Sequence, residues 1–241
     1  MHIKNSLLYR KYSPFLKYVY YFIFERYKLN PYTDYRFSDE KLKFVHLLEA
    51  VNYLRVAGLP NVYFEFGCHS ARTFSAVIRA AEYLKLDNFQ CWAFDSFEGL
   101  PPTESKEDGY FEGGTFCTSK DDFISLVKSY SGHTLDGNNI IEGFYDSSLT
   151  KILQAKMPNV GMVHIDVDLY SSTALVLEFL RPLMIEGTVI LFDDWYCFPP
   201  GSFKGESGAL QEFCNRYPGF KVEEWKSYST FGKSFFVVRN D

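Results

Sequence analysis

Several features that would assign the chain to a specialised class of protein are missing from its 241 residues. It has no run of 18 apolar residues and no hydrophobic segment followed by a small-residue cleavage site, which argues against a membrane-spanning or secreted protein. It has no excess of basic residues, because the formal net charge is −5, and nucleic acid is therefore not an expected partner. It also has no internal repeat and no low-complexity tract. We expect a cytoplasmic globular protein.

Cysteine is scarce and is not spaced for a metal or a disulfide framework. The five cysteines are far apart in the sequence and include no C-x-x-C pair. An odd number of isolated cysteines indicates reduced thiols and no structural zinc site. This agrees with a cytoplasmic location.

Glycine is scarce at the place where a dinucleotide-binding protein would need it. Residues 61–73 (NVYFEFGCHSART) have the pattern of a strand, a turn and a helix, with Gly67 as the single glycine of the turn. The dinucleotide fingerprint contains three glycines, so an NAD site is disfavoured. One glycine still allows a ligand to approach the backbone, and the following helix offers unpaired amides at its N-terminus.

The chain does contain apolar strands that end in carboxylates. Residues 90–95 (QCWAFD) form the second predicted strand, and its last residue, Asp95, could accept hydrogen bonds from the two hydroxyls of a ribose. Asp95 follows Gly67 by 28 positions, which is compatible with a helix between the two strands.

The strongest carboxylate pattern lies in residues 160–173 (VGMVHIDVDLYSST), where an apolar strand leads into Asp166 and Asp168. Alternation along an extended chain would place both on one face, and the polar residues that follow are candidate caps for a helix over residues 174–183. The pattern recurs in GTVILFDDW, which ends in Asp193 and Asp194. Neighbouring parallel strands would bring these carboxylates to one edge of the sheet, where open α/β sheets bind ligands.

Carboxylates that converge in this way repel one another unless a cation or protons compensate them. Hard oxygen donors without nearby Cys or His favour Mg²⁺, with Ca²⁺ or Mn²⁺ next. An alternative stays open, in which Asp166 and Asp168 only cap the following helix and Asp193 and Asp194 lie in a solvated loop.

The first 37 residues differ in composition from the rest of the chain. They contain twelve aromatic residues, and residues 1–28 carry six Lys or Arg against a single acidic residue, Glu25. This predicted helical segment could lie at a membrane interface, pack on a partner subunit or fold over the catalytic domain as a lid. We divide the chain into residues 1–37 and a domain of residues 38–241. Residues 30–38 have the composition of a linker, and a helix is expected from Ser38, with an apolar stripe formed by Leu42, Val45, Leu48, Leu54 and Val56.

Five short segments resemble the macrocin O-methyltransferase-like family. They are EFG at 65–67, FDSFEGLP at 94–101, EGFYDSSL at 142–149, HIDVDLYSST at 164–173 and LFDDW at 191–195. The resemblance spans residues 37–238. It implies an α/β fold of the class I methyltransferase type: a Rossmann-like, mostly parallel seven-stranded sheet with helices on both faces. Residues 221–228 and 234–238 are expected to form the C-terminal antiparallel hairpin.

The resemblance also implies two cofactors, S-adenosylmethionine and Mg²⁺, and a set of site residues. The metal ligands would be Asp166, Asp193 and Asp194. The cofactor-binding residues would be Glu65 and Gly67 beside the methionine part, Asp95 and Ser96 at the ribose, and Gly143 and Phe144 beside the adenine. The turn after Gly67 departs from the family, since it reads Cys68-His69-Ser70-Ala71 where Gly or Arg is usual, so contacts there stay open.

These inferences predict an Mg²⁺-dependent O-methyltransferase that acts on a hydroxyl of a sugar or of a glycosylated small molecule. Asp166 or Asp168 is the expected catalytic base, with His69 as a third candidate, and His164 is expected to be a core residue. Two alternatives stay open. Asp166-Val-Asp168 could be the D-x-D motif of a metal-dependent glycosyltransferase, or the chain could be a non-catalytic methyltransferase-like binding protein.

The expected partners are a small-molecule or glycan acceptor and further copies of the same chain, with a peripheral membrane contact through residues 1–28. Residues 99–120 form an unusually long connection, which is typical of a functional loop. Within it, Tyr110 and Phe111 are candidates for stacking on a sugar.

Overall fold

The computed structural model describes residues 31–102, 112–199 and 201–239, and its centre is a seven-stranded β-sheet. The strands are β1 (Val62–Phe66), β2 (Gln90–Asp95), β3 (Ile140–Glu142), β4 (Val160–Ile165), β5 (Met184–Phe192), β6 (Phe220–Ser227) and β7 (Lys233–Arg239). The helices are α1 (Pro31–Ala57), α2 (Arg72–Tyr83), α3 (Lys120–Ser131), α4 (Tyr145–Ser148), α5 (Lys151–Gln154), α6 (Tyr170–Leu180) and α7 (Gly205–Arg216).

The strand order across the sheet is β3-β2-β1-β4-β5-β7-β6. Neighbouring strands from β3 to β5 are parallel, whereas β7 is antiparallel to both β5 and β6. The chain direction across the sheet reverses between β1 and β4, and such a switch point opens a crevice beyond the carboxyl ends of the strands. The predicted Rossmann-like sheet with its C-terminal hairpin is confirmed.

Alternate strand residues supply the two apolar layers that hold the sheet. Phe64, Phe66 and Ile165 point to the layer that contains α6 and α7, while Tyr63 and Met162 point to the layer that contains α2, α3 and residues 43–57 of α1. The rings of Phe66 and Phe94 stack with centroids 4.4 Å apart. Burying each large side chain stabilises the fold by about 1.5–3 kcal/mol. Both faces of the sheet are therefore covered, and its carboxyl edge is left for the site.

The first described helix differs from the prediction in its start and in its buried face. Residues 30–38 were predicted to be a linker, but α1 begins at Pro31, since proline is tolerated in the first turn of a helix. Leu54 of the predicted stripe is buried, but the other four residues, Leu42, Val45, Leu48 and Val56, are exposed, so most of the predicted stripe is wrong. Steps of three residues drift around a helix, and the face that is buried follows alternating steps of three and four. The buried apolar residues of this face are Leu47, Ala50, Val51 and Leu54.

The helix after β4 also begins earlier than predicted. It starts at Tyr170 instead of residue 174, and its N-cap, Leu169, makes no side-chain hydrogen bond. The Thr173 hydroxyl donates 2.8 Å to the Leu169 carbonyl inside the first turn. The polar residues 170–173 therefore belong to the helix itself and do not cap it.

Two compact units are distinguished within the chain, Met1–Leu42 and Lys43–Asp241. The predicted boundary between residues 37 and 38 stays a prediction. Across the ranges that the structure describes, none of the helices has an apolar stretch long enough to cross a membrane.

Candidate functional site

A cavity of about 690 Å³ lies beyond the carboxyl ends of β1, β2 and β4. The structure brings most of the predicted site residues together around it. Those that line the cavity are Gly67, Asp95, Ser96, Gly143, Phe144, Asp166, Asp168 and Asp194. Glu65 and Asp193, which were also predicted, are not among the lining residues.

Gly67 is the point where the strands β1 and β4 come closest at the floor of the cavity. Its φ angle is +79°, in the region that favours glycine, and a Cβ atom there would lie 1.8 Å from the carbonyl oxygen of Asp166. The backbone N–H of Asp166 in turn donates 2.9 Å to the Phe66 carbonyl. The sequence therefore needs glycine at this turn for two reasons, the backbone angle and the lack of space.

Asp95 is held by the backbone of the loops that surround it. Its Oδ2 accepts from the N–H groups of Cys68 and His69 at 2.6 and 3.2 Å, and its Oδ1 accepts from the N–H of Phe97 at 2.7 Å. These bonds fix the carboxylate at the cavity wall. Oδ1 accepts only the bond from Phe97 and so has a second lone pair with which it can accept a hydrogen bond from a ligand.

Gly143 and Ser96 complete this wall. The N–H of Gly143 donates 3.0 Å to the backbone carbonyl of Asp95, and the Ser96 hydroxyl donates 2.7 Å to the Gly99 carbonyl. We call the cavity wall formed by residues 67–69, 95–97 and 143 the amide-lined side. Its geometry is set by main-chain hydrogen bonds between consecutive strand ends.

His69 stands at the exposed mouth of the cavity. Its Nδ1 lies 3.0 Å from the Thr118 hydroxyl, and its ring meets Phe116 edge-on at 5.9 Å. Pro101 and Pro102 also line this part of the cavity. The described ends of the long loop thus form part of the wall, while Tyr110 and Phe111 lie outside the described residues.

Asp166, Asp168, Asp193 and Asp194 follow the ends of β4 and β5, and we call these four residues the acidic rim. The predicted alternation of Asp166 and Asp168 is wrong, because β4 ends at Ile165 and Asp168 has a φ angle of +59°. A turn, and not an extended strand, brings both to the cavity. The carboxyl groups of Asp168 and Asp194 lie beside each other, and this contact contributes to the raised pKa of Asp168.

Burial and mutual repulsion dominate the electrostatics of the acidic rim. Burial, with Asp193 and Asp194 nearby, raises the pKa of Asp166 well above its usual value. Burial and the neighbouring Asp194 raise the pKa of Asp168 to about 8. Asp168 therefore carries a proton at neutral pH unless a cation approaches.

Asp193 is turned away from the cavity and has a different set of partners. Its Oδ2 accepts a short hydrogen bond from the ammonium of Lys43, on α1, and its Oδ1 accepts 3.3 Å from the Tyr228 hydroxyl. The Nε2 atom of His164 lies 3.7 Å from the same Oδ1, which is an electrostatic contact beyond hydrogen-bond range. Burial alone would raise the pKa of Asp193, but His164 and Lys43 lower it below its usual range. Asp193 is therefore ionised.

Lys43 is charged in this environment. Burial lowers its pKa, but the carboxylates of Asp193, Asp166 and Asp194 outweigh that effect and hold the pKa above its usual value. The ammonium compensates part of the negative charge of the acidic rim.

Glu65 lies beneath the cavity rather than in its wall. It is 1% exposed, and its Oε2 accepts a short hydrogen bond from the Tyr63 hydroxyl. Burial raises the pKa of Glu65 to about 8, although Tyr63 and Lys43 both lower it. The predicted contact of Glu65 with the methionine part of a cofactor stays a prediction.

The carboxylate oxygens of the acidic rim are ligands that Mg²⁺ prefers, but those of Asp193 do not face the cavity. Asp166 and Asp194 present carboxylate oxygens to the cavity, and behind them the buried Oε1 of Glu206 has no hydrogen-bond partner among the described residues. Asp193 is bound to Lys43 instead. In keeping with this, no three His, Cys, Asp or Glu side chains of the described ranges are already grouped as a metal site.

Four residues of this site were not identified from the sequence. Lys43, Tyr228 and Glu206 escaped notice, and His164 was expected only in the core. Glu206 accepts 2.9 Å from the N–H of Asp194, which fixes the end of β5. One signal was available, since Lys43 precedes the buried Leu47 by one helical turn and so places a charged residue on the buried face of α1.

Solved structures with the same fold are methyltransferases. The O-methyltransferase NovP superposes with a TM-score of 0.68 at 17% identity, over 81% of this chain and 79% of that chain. The calicheamicin methyltransferase CalS11 gives a TM-score of 0.60 at 20% identity, over 80% and 78%. An O-methyltransferase from Bacillus cereus, solved in complex with SAH, gives 0.53 at 14% identity, over 95% and 90%.

No curated protein matches the sequence. The sequence profile of the family described as macrocin-O-methyltransferase (TylF), however, matches residues 40–213, which is well over half of the chain and contains every predicted site residue. The profile match and the shared fold agree with the resemblance of the five motifs. The chain therefore belongs to the macrocin O-methyltransferase family and is an O-methyltransferase.

Proposed function

We propose that the enzyme transfers the methyl group of S-adenosylmethionine to a hydroxyl of a sugar or of a glycosylated small molecule, in an Mg²⁺-dependent reaction. The observation that carries this proposal is the division of one cavity into an amide-lined side and a cluster of carboxylates. One side suits a nucleoside cofactor, and the other suits an alcohol that must lose a proton.

The amide-lined side supports the cofactor. Asp95 is held in place by three backbone N–H groups and keeps one lone pair of Oδ1 free for a ribose hydroxyl. Gly67 lines the floor of the cavity, where the methionine part would lie, and Gly143 and Phe144 would lie beside the adenine. The sulfonium carbon would then point toward the acidic rim.

The acidic rim supports removal of the acceptor proton. As the C–O bond forms and the S–C bond breaks, S-adenosylhomocysteine leaves, and the hydroxyl proton must pass to a base. Asp168 lines the cavity, where burial and Asp194 raise its pKa to about 8. With a cation at Asp166 and Asp194, Asp168 would release its proton and become a carboxylate that can accept the proton of the acceptor. We therefore assign the base to Asp168. Asp166 and Asp194 would hold Mg²⁺, which supplies a positive charge that lowers the pKa of an alcohol.

The acceptor class rests on the family and on one described relative. A structure of CalS11 is described as a TDP-rhamnose 3′-O-methyltransferase, with a TM-score of 0.53 and 19% identity to this chain. Nucleotide-linked deoxysugars and glycosides of small molecules are therefore the first acceptors to try. The described loop ends around Pro101, Pro102 and Phe116 would contact the part of the acceptor that lies outside the reacting ring.

Calorimetry separates this proposal from its alternatives. Titration with S-adenosylhomocysteine should show binding that Asp95→Ala weakens, whether or not a nucleotide sugar also binds as an acceptor. Radiolabelled methyl donor, offered with a panel of glycosides and nucleotide sugars, should then label at least one acceptor. Binding of a nucleotide sugar without a response to S-adenosylhomocysteine would favour the glycosyltransferase alternative. Cofactor binding without labelling of any acceptor would contradict the proposed acceptor class.

Residues 1–28 lie outside the described residues, and their contact with an anionic membrane surface remains our proposal. It is supported by their basic and aromatic composition. Liposome flotation should retain the full chain more strongly than a chain that begins near residue 32. Equal flotation would favour packing on a partner subunit or on the catalytic domain.

A further inference from the structure

The acidic rim already contains a cation of its own. Lys43 lies on the buried face of α1, and its ammonium contacts Asp193 Oδ2. The side chains of Lys43 and Asp193 are only 21% and 15% exposed. The attraction extends to Asp166 and Asp194, so one ammonium serves three carboxylates.

The contacts of Asp193 explain why it does not face the cavity. One oxygen is taken by Lys43, and the other lies between the Tyr228 hydroxyl at 3.3 Å and His164 Nε2 at 3.7 Å. Tyr228 is itself fixed, since the single proton of its hydroxyl is shared between Asp193 and the closer carbonyl of Phe192, at 2.8 Å. Asp194, the next residue in the sequence, lines the cavity, whereas Asp193 is held toward the protein interior.

A divalent cation and the ammonium of Lys43 would compete for the same carboxylate oxygens. Two positive charges within a few ångströms of each other repel strongly where water is largely excluded. A metal ion bound by Asp166, Asp193 and Asp194 together would therefore require Lys43 to leave Asp193. With Lys43 in place, the carboxylates are compensated without a metal.

We propose that Lys43 is a built-in competitor of the divalent metal at Asp193, so that metal binding displaces its ammonium from that carboxylate. This inference rests on the Mg²⁺ site of the proposed function, extends that site to Asp193, and adds a residue that sets its affinity for the metal. Lys43 is a positioning residue in this role, because it acts through Asp193 and does not line the cavity.

The first test measures metal affinity without any turnover. Mn²⁺, used in place of Mg²⁺, is titrated into the full-length protein, and free Mn²⁺ is followed by electron paramagnetic resonance. Lys43→Met removes the ammonium and keeps the length of the side chain, and we expect it to bind Mn²⁺ at least about tenfold more tightly than wild type. Lys226→Met is the matched control, because Lys226 pairs with Glu49 and not with the acidic rim. It should stay within about twofold of wild type.

Unchanged or weaker Mn²⁺ binding by Lys43→Met would overturn the proposal, and so would the absence of Mn²⁺ binding in all three proteins. The experiment does not depend on an acceptor. If Mn²⁺ binds as expected but no glycoside or nucleotide sugar is methylated, the competition stands and the acceptor class of the proposed function fails.

A second test uses only the wild-type protein, in case Lys43→Met does not fold. Lysines are labelled by reductive methylation with and without saturating Mn²⁺, and the labelling of each residue is quantified by mass spectrometry. Displacement predicts that labelling of Lys43 increases several-fold with Mn²⁺, while that of Lys226 does not change. Equal protection of Lys43 in both conditions would show that metal and ammonium do not compete.

Discussion

The amide-lined side and the acidic rim place the same residue type at the same position of the fold, yet in opposite environments. Asp95 ends β2 and receives three backbone N–H groups, so the main chain itself holds its charge. Asp166 and Asp194 follow β4 and β5 and face other carboxylates, and burial raises the pKa of both. The comparison shows that backbone geometry holds Asp95 in its charged form, whereas the charge state of Asp166 and Asp194 depends on the cation beside them.

The largest effect is expected at Gly67, where the two regions touch. In Gly67→Ala, the new Cβ would lie 1.8 Å from the Asp166 carbonyl oxygen, so β1 and β4 must separate. We expect a loss of roughly 3 kcal/mol or more in the free energy of unfolding and no measurable binding of S-adenosylhomocysteine. Urea denaturation and calorimetry measure the two.

Gly132→Ala is the matched control for this variant. Gly132 has the same φ angle, +79°, but a Cβ there would meet no atom within 4 Å. It should therefore show only the cost of the backbone angle, about 1 kcal/mol. Equal losses in the two variants would mean that the contact between the strands contributes nothing.

A substitution confined to the acidic rim should separate catalysis from cofactor binding. Asp166→Asn removes a charge with little change of shape, and methyl transfer should fall by about 10²-fold or more, which corresponds to about 3 kcal/mol of transition-state stabilisation. The affinity for S-adenosylhomocysteine should stay within about threefold, because the amide-lined side is unchanged. Wild-type activity should disappear with EDTA and return with Mg²⁺. Turnover that is unaffected by Asp166→Asn and by EDTA would contradict the role of the metal in the mechanism.

The reciprocal substitution is Asp95→Asn. An amide can replace only one carboxylate oxygen as acceptor, so the N–H groups of Cys68 and His69, or that of Phe97, lose their partner. We expect the affinity for S-adenosylhomocysteine to fall about tenfold, which is the effect of losing about one hydrogen bond to a charged group. Mn²⁺ binding should not change. A parallel loss of both affinities would show that the two regions are not independent.

The smallest effect concerns Glu65, which lies buried near both regions. Burial raises its pKa from 4.5 to about 8, so the folded protein holds a proton that the unfolded chain releases. The stabilising contribution of this proton is fully present below pH 4.5 and is lost as the pH rises toward 8. Between pH 5 and pH 8, the free energy of unfolding of wild type should fall by about 1–3 kcal/mol. The free energy of unfolding of Glu65→Gln should not show this decrease.

Urea denaturation at several pH values measures this difference between wild type and Glu65→Gln. Glu186→Gln, at an exposed position on β5, is the control and should follow the wild-type slope. The same slope for wild type and Glu65→Gln would indicate that Glu65 is ionised in the folded protein.

The strand ends were predictable because their signals are local. Gly67, Asp95 and Asp166 each follow an apolar run, and parallel strands bring such ends to one edge whatever the details of packing. The partner of Asp193 was not predictable in this way. Lys43 is 150 positions away in the sequence, and only the packing of α1 against the sheet brings its ammonium to that carboxylate.

The errors of detail have a similar origin. The apolar residues Val45 and Leu48 suggested the wrong face of α1, because composition alone does not show which of two faces meets the sheet. The turn at Asp168 has a left-handed backbone that non-glycine residues seldom adopt, and the local pattern of residues did not indicate it. Tertiary contacts decide both features.

The close approach of Gly67 to the Asp166 carbonyl also bears on how this enzyme family can diversify. At the floor of the cavity the two main chains are in contact and leave no room for a side chain. Substitutions at this point therefore cannot change the acceptor preference. Pro101, Pro102 and Phe116 belong to the connection between β2 and α3 and are free of that constraint. New acceptors would therefore be accommodated by exchanging this loop over a constant floor, and libraries for altered specificity should concentrate their substitutions in it.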